Sequence, residues 1–158
     1  MKGPSAIEST SPDPATNATA TLTILSVSPI DVDHSSLAAS VADSPCVLMR
    51  AHDLVSALSL LQQHDIGVVV CERDLGLERY VDVLERLSAL PHAPSLIVAS
   101  KLADEHLWAE ALNLGAYDVL AKPFDATEVT RTLSLAWVHW RIHNGAAHWP
   151  ARFKAAGA

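Results

Sequence analysis

Two charged residues at the ends of apolar runs are the most informative candidates for chemistry in this sequence. Glu72 directly follows Val68–Cys71, and Lys122 follows a second apolar run centred on Val119 and Leu120. If both runs are buried parallel strands, their carboxyl ends meet at the same edge of a sheet. We therefore expect the carboxylate of Glu72 and the ammonium of Lys122 to pair at the edge where α/β proteins place their functional sites.

The composition sets broad limits on the kind of protein. The chain has 158 residues, of which 49% are hydrophobic and 18% charged, which predicts one globular domain with a real core. Its net charge of −7 argues against a nucleic-acid-binding face. No apolar run approaches the roughly 18 residues of a membrane span, and no secretory leader is expected. Cys46 and Cys71 lie in apolar runs, which is typical of buried thiols in a reducing cytoplasm.

The order of the predicted elements indicates the fold. Residues 1–20 are rich in Ser, Thr, Pro and Ala and are expected to form a tail, as are residues 146–158. Between them, in a domain spanning 21–145, five short β-branched runs alternate with five amphipathic segments. Strict alternation with right-handed crossovers predicts an α/β fold with a doubly wound, five-stranded parallel sheet.

Helix ends carry their own signals. A weak first helix is expected over residues 33–42, with Asp31 and Asp33 at its start, where acids commonly cap a helix. In the alternative reading, this loop folds back and the two acids restore a metal site. Gly115 is placed to end the fourth helix, and Asp125 to begin the last one.

The segment from Gly115 to Phe124, GAYDVLAKPF, resembles a signature of bacterial response regulators. Residues about 22–144 are similar in pattern to the receiver domain of two-component signalling proteins, whose corresponding signature is GA-x-x-Y-x-x-KPF. The resemblance implies the flavodoxin-like strand order 2-1-3-4-5, and it implies that Lys122 contacts the residue at the phosphoacceptor position. It also implies a cis peptide bond into Pro123, which costs little before a proline.

The resemblance breaks at the positions that carry phosphoryl chemistry. The two metal-binding acids after the first strand fall on Ser28 and Pro29, neither of which is a good Mg²⁺ ligand. The phosphoacceptor aspartate falls on Glu72, which is one methylene longer.

The remaining receiver positions are also altered. The Ser or Thr that follows the phosphoryl group falls on Ala99, with Ser100 adjacent, and the aromatic switch residue falls on Val119. Of the usual pocket residues only Lys122 is retained. The sequence therefore predicts a degenerate receiver, with no metal, no cofactor and no enzymatic activity of its own.

Several functions follow as hypotheses. The leading one is a stand-alone, phosphorylation-independent module of two-component signalling in which Glu72 mimics a phosphorylated acid. Its partners would be proteins, either a sensor kinase or a downstream effector, in the cytoplasm. The alternative is a genuine phosphoacceptor that uses an unusual acid such as Asp74. The simpler interpretation of Asp74 is an acidic loop residue without a role in phosphorylation. A flavodoxin-like cofactor binder is disfavoured because the loop after the first strand has no glycine-rich phosphate cradle.

Other candidate residues have simpler explanations. Cys71 could sense redox state, but the adjacent Glu72 disfavours a thiolate. His139 and His143 could bind a metal, but no third ligand of matching spacing is evident. A protein interface, including a homodimer through the last helix, is expected to use Trp137, Trp140 and Val119, although packing against the sheet would account for at least one of the tryptophans.

Overall fold

A computed structural model describes residues 21–144, so the predicted tails lie outside the described residues. We number only the strands of the main sheet. The elements in chain order are β1 (Leu22–Val27), α1 (Asp31–Ser40), β2 (Cys46–Ala51), α2 (Leu54–Gln63), β3 (Val68–Glu72), α3 (Tyr80–Ser88), β4 (Ser95–Ser100), α4 (Glu105–Leu114), β5 (Asp118–Ala121) and α5 (Ala126–Asn144).

The five strands form one parallel sheet in the order β2-β1-β3-β4-β5. This confirms the predicted fold class and strand order. Strand β2 is added on one side of β1, and β3, β4 and β5 are added on the other side. The carboxyl ends of β1 and β3 therefore lie at a topological switch point, where open α/β sheets form their binding crevice. Among the described helices, none is long and apolar enough to cross a membrane.

Both faces of the sheet are buried, which explains why the strand sequences are continuously apolar. Successive residues of β3 alternate between two cores. Val69 and Cys71 pack on the side that also buries residues of α2, α3 and α4, whereas Val68 and Val70 pack with residues of α1 and α5. The site at the sheet edge therefore rests on strands that are fixed from both sides.

The helix ends differ in part from the predictions. Gly115 ends α4 in a left-handed conformation (φ 111°), and the Asp125 side chain accepts a hydrogen bond from Glu128 N at the start of α5, as predicted. The predicted capping of α1 by Asp31 and Asp33 is wrong. The helix begins two residues earlier than expected, and Ile30 occupies the N-cap position without a side-chain cap.

One small element was not predicted. Asp74–Leu75 and Glu78–Arg79 pair as a two-stranded antiparallel hairpin just before α3. Gly76, at the turn, has φ 87°, a conformation that residues with a Cβ rarely adopt. The hairpin is too short to show a strand period in the sequence.

Two tryptophans of α5 cover Gly67 at the opposite, amino-terminal end of the sheet. A Cβ built on Gly67 would lie 2.7 Å from Cε3 of Trp140 and 3.0 Å from Cδ1 of Trp137. Trp140 is buried and its Nε1 donates to the carbonyl of His92 at 3.3 Å. Val119 is buried as well. Most of the surface of Trp140 and Val119 is thus used inside the domain, since Trp140 packs on the sheet and Val119 is a buried residue of β5.

This packing makes Gly67 a sensitive position. Gly67→Ala should lower the free energy of unfolding by about 1–3 kcal/mol, because a methyl group must displace two large indole rings. Urea denaturation followed by far-UV circular dichroism measures the change.

Gly76→Ala is a useful control for this prediction, since its Cβ would enter open space and act only through backbone strain. The substitution Gly67→Ala should lower the free energy of unfolding less in a Trp140→Leu background than in the wild type, because the smaller leucine leaves room for the methyl group. An unchanged stability of Gly67→Ala would contradict the described contact.

Candidate functional site

The register of the sheet places Glu72 and Lys122 at the same edge. Glu72 ends β3 opposite Ala99 of β4, and Lys122 N, one residue past β5, donates to the carbonyl of Ser100 at the end of β4. Their side chains meet across this edge, with Lys122 Nζ 2.5 Å from Glu72 Oε1. The pairing expected from the sequence is therefore present in the structure.

A third residue, Asp33, joins this pair. Asp33 lies in the first turn of α1, and its Oδ2 accepts a hydrogen bond from Lys122 Nζ at 2.9 Å. The ammonium of Lys122 consequently lies between two carboxylates, and we call Asp33, Glu72 and Lys122 the ionic triad. Sequence reasoning assigned Asp33 to a cap because it placed the start of the helix two residues too late. A helix start at Asp31 would have revealed that Asp33 belongs to the turn next to the strand ends.

Burial makes the ionic triad a strong constraint. The exposed fractions of the side chains are 6% for Lys122, 12% for Glu72 and 13% for Asp33. Glu72 Oε1 is buried and makes no hydrogen bond of normal geometry to any described residue, so its contact with Lys122 is an ion pair. A buried charge left without a partner costs far more than an exposed one, so the three groups must remain together.

The protonation of Lys122 follows from this geometry. Burial alone would lower the pKa of Lys122, but the close contacts with the negative charges of Glu72 and Asp33 outweigh burial and raise it above its ordinary value. A raised folded-state pKa contributes stability below the unfolded pKa of about 10.4, and that contribution is lost as the pH rises through the folded value. Lys122 is therefore a permanent cation throughout the physiological range.

Ser28 and His34 fix the position of Asp33. Ser28 Oγ donates to Asp33 Oδ2 at 2.6 Å and accepts a hydrogen bond from Ile30 N at 3.0 Å. His34 is fully buried; its Nε2 donates to the carbonyl of Ser28, and its Nδ1 lies 2.8 Å from Ser26 Oγ. Because a carbonyl can only accept, Nε2 carries the proton, and burial lowers the pKa of His34 so that the ring is neutral. Sequence reasoning missed His34, because no motif in the sequence marks this residue.

The other predicted pocket residues are less involved. Ala99 and Ser100 are buried at the end of β4, where Ser100 Oγ accepts a hydrogen bond from Leu102 N. Asp74 is exposed and pairs with its neighbour Arg73 rather than with Lys122. Burial, and then the charge of Glu72, raises the pKa of the Cys71 thiol, which agrees with an inert cysteine.

The two histidines of α5 form a stacked pair rather than a metal centre. The rings of His139 and His143 lie 4.0 Å apart, and His143 Nδ1 donates to the carbonyl of His139. Within residues 21–144, no group of three or more His, Cys, Asp or Glu side chains is arranged to hold a metal ion.

The residues at the receiver metal position do not suit Mg²⁺. The hydroxyl of Ser28 already donates to Asp33, and Pro29 has no side-chain ligand. The two nearby carboxylates, Asp33 and Glu72, are both in contact with the ammonium of Lys122. Mg²⁺ requires several oxygen ligands in a near-ideal octahedron, and here a side-chain cation already contacts the two carboxylates that could contribute.

Comparison with known proteins agrees with this architecture. The family model of the response regulator receiver domain matches residues 31–134, and the chain therefore belongs to this family. It is 31% identical over 77 residues to the regulatory protein VirG of Agrobacterium tumefaciens (strain 15955), covering 49% of this chain and 29% of VirG. The chain thus matches less than a third of the length of that relative.

Solved receiver domains have the same fold. The signal receiver domain of an HD domain-containing protein from Pseudomonas fluorescens Pf-5 is 27% identical, with a TM-score of 0.69 over 77% of this chain and 98% of that domain. A response regulator from Thermotoga maritima is 18% identical, with a TM-score of 0.68 over 75% of this chain and 99% of that one. The protein is thus a receiver domain of the two-component type, with Glu72 at the end of β3.

The ionic triad makes a direct prediction for stability. Lys122→Met leaves two buried carboxylates facing each other without a cation and should lower the free energy of unfolding by about 3–5 kcal/mol at neutral pH. Glu72→Gln keeps the pair between Lys122 and Asp33 and should cost less, about 1–3 kcal/mol. Urea denaturation of the three proteins measures both differences.

Lys101→Met is the matched control, because this lysine is exposed and its loss should change stability by no more than about 0.5 kcal/mol. If Lys122→Met were as stable as this control, the ionic triad would not constrain the fold.

Proposed function

We propose that this chain is a phosphorylation-independent receiver that acts in two-component signalling by binding other proteins. In this proposal Glu72 provides a fixed negative charge where an ordinary receiver gains one on phosphorylation. The protein is not an enzyme, and its partner is a sensor kinase or a downstream effector.

The observation that carries the proposal is the contact between Lys122 and two carboxylates. Lys122 is paired with both Glu72 and Asp33, so an incoming phosphoryl group would have to displace a carboxylate from this lysine. Phosphoryl transfer depends mainly on electrostatic stabilisation by metal ions and cationic side chains. With the lysine occupied and no suitable Mg²⁺ ligands at Ser28 and Pro29, that stabilisation is lost.

The mimicry of a phosphorylated acid is partial. A phosphoryl group carries about −1.5 to −2 charges and three acceptor oxygens, whereas a carboxylate carries one charge and two oxygens. Asp33 supplies a second carboxylate to the same lysine, so the charge around Lys122 is closer to that of a phosphorylated site than Glu72 alone would make it. A carboxylate cannot be hydrolysed away, so the site would not respond to a phosphorylation cycle.

The surface most suited to a protein partner lies on the outer face of α5. Leu135, Val138 and Ile142 are exposed and follow one another at intervals of three and four residues, so they form one apolar stripe. This stripe takes the place of the interface expected from Trp140 and Val119, both of which are buried. A second copy of the chain could bind here as a homodimer, as expected for the last helix.

The remaining features of the proposal rest on composition. The net charge of −7 favours protein partners over nucleic acid. Cys46 and Cys71 are both free cysteines, which supports a reducing, cytoplasmic setting.

Exposure to beryllofluoride and Mg²⁺ tests the proposal. The amide NMR signals of the ¹⁵N-labelled protein around Glu72, Ser100 and Lys122 should not shift, because the lysine is already paired and the metal position lacks carboxylates. Glu72→Asp should behave in the same way, since the change restores neither metal ligand. An ordinary receiver domain measured in parallel confirms that the reagent is active.

Acetyl phosphate with Mg²⁺, followed by intact-protein mass spectrometry, provides a second readout of the same chemistry. A stable phosphoryl adduct on Asp74 or any other acid of the sheet edge would contradict the proposal and favour the genuine phosphoacceptor.

A further inference from the structure

A pocket lies beside the ionic triad and is lined in part by two of its members, Asp33 and Lys122. It has a volume of about 300 Å³ and opens between α1, the loop after β4 and the loop after β5. Its lining residues are Val32, Asp33, Ser36, Lys101, Lys122, Pro123 and Phe124. This volume is at the lower end for small-molecule sites, so any ligand must be small.

The pocket combines an apolar wall with two opposite charges. Val32, Pro123 and Phe124 form the apolar part, and Val32 is 67% exposed. A β-branched side chain left this exposed beside a concave surface would be covered by a bound apolar group.

The negative charge comes from Asp33. Both contacts described above use Asp33 Oδ2, and Oδ1 has no hydrogen-bond partner among the described residues. Two carboxylates share the single ammonium of Lys122, so the ionic triad keeps a net charge of −1 beside the pocket. An ammonium group on a ligand would be attracted to this charge and could donate to Oδ1 of Asp33.

The positive charge comes from Lys101. This lysine is exposed and forms no ion pair with any of residues 21–144, unlike Lys122. Ser36 also lines the pocket, and its hydroxyl makes no hydrogen bond to a described residue. Lys101 and Ser36 together offer donors for a carboxylate.

We propose that this pocket binds a free α-amino acid with an apolar side chain, such as leucine or phenylalanine. The ammonium would contact Asp33, the carboxylate would contact Lys101 and Ser36, and the side chain would pack on Val32, Pro123 and Phe124. A zwitterion fits better than a simple anion, which the net charge of the ionic triad would repel, and better than a simple cation, which would leave Lys101 unused. A bound amino acid would give the domain an input other than phosphorylation; only this regulatory meaning depends on the proposed function.

Titration of the ¹⁵N-labelled protein with L-leucine and L-phenylalanine tests the site. Saturable amide shifts are expected at Val32, Lys101 and Phe124. Two analogues of leucine, each of which lacks one charged group, serve as matched probes: 3-methylbutylamine lacks the carboxylate, and 4-methylpentanoate lacks the ammonium. Each should bind about tenfold more weakly than leucine, because each loses one charge-assisted contact.

Two variants locate the binding in the pocket. Lys101→Met should weaken leucine binding about tenfold without weakening the binding of 3-methylbutylamine, because the amine has no carboxylate and the variant removes a like charge. Val32→Trp should fill the pocket and abolish binding, whereas Val55→Trp, at an exposed site on α2, should have no effect.

Three results would overturn this assignment: no saturable shift with either amino acid, equal affinity for leucine and 3-methylbutylamine, or full binding by Val32→Trp. None of them would bear on whether the domain is phosphorylated, which the beryllofluoride experiment measures independently.

Discussion

The ammonium of Lys122, held between two buried carboxylates, is the interaction on which the rest of the site depends. It joins the start of α1, the end of β3 and the loop after β5 through a single charged group. Because the three side chains are only 6–13% exposed, separation of their charges is costly, and the ion pairs tie the three segments together. Ser28 and His34 then extend this constraint to the end of β1 by hydrogen bonds that leave Asp33 little freedom.

This arrangement has a chemical consequence. In a phosphoryl-transfer site, a metal ion and a lysine are both available to stabilise charge that arrives with the phosphoryl group. Here a side-chain cation lies between the carboxylates before any reaction, and its charge is already balanced. In the function that we propose, this edge of the sheet acts as a fixed electrostatic site rather than a reactive one. The signal in that proposal enters through a partner protein or a bound ligand.

Much of this structure could be predicted from the sequence. Continuous apolar runs specified a sheet buried on both faces, and strand ends of one polarity placed Glu72 beside Lys122. Asp33 was misassigned because a shift of two residues in the start of a helix decides whether an acid caps the helix or faces the sheet edge. Packing of at least one tryptophan of α5 on the sheet was expected, but the sequence could not show that Trp140 would be the buried one, because nothing in the local pattern of α5 shows that Gly67 leaves room for an indole ring.

The ionisation of Lys122 tests the central claim most directly. The ¹³Cε signal of Lys122 can be followed by NMR from neutral to strongly alkaline pH in the wild type, in Glu72→Gln and in Asp33→Asn. The described geometry predicts a pKa above the ordinary lysine value of about 10.4 in the wild type and a lower pKa in each variant. A wild-type pKa at or below that value, unaffected by either substitution, would show that Lys122 is not held between the two carboxylates.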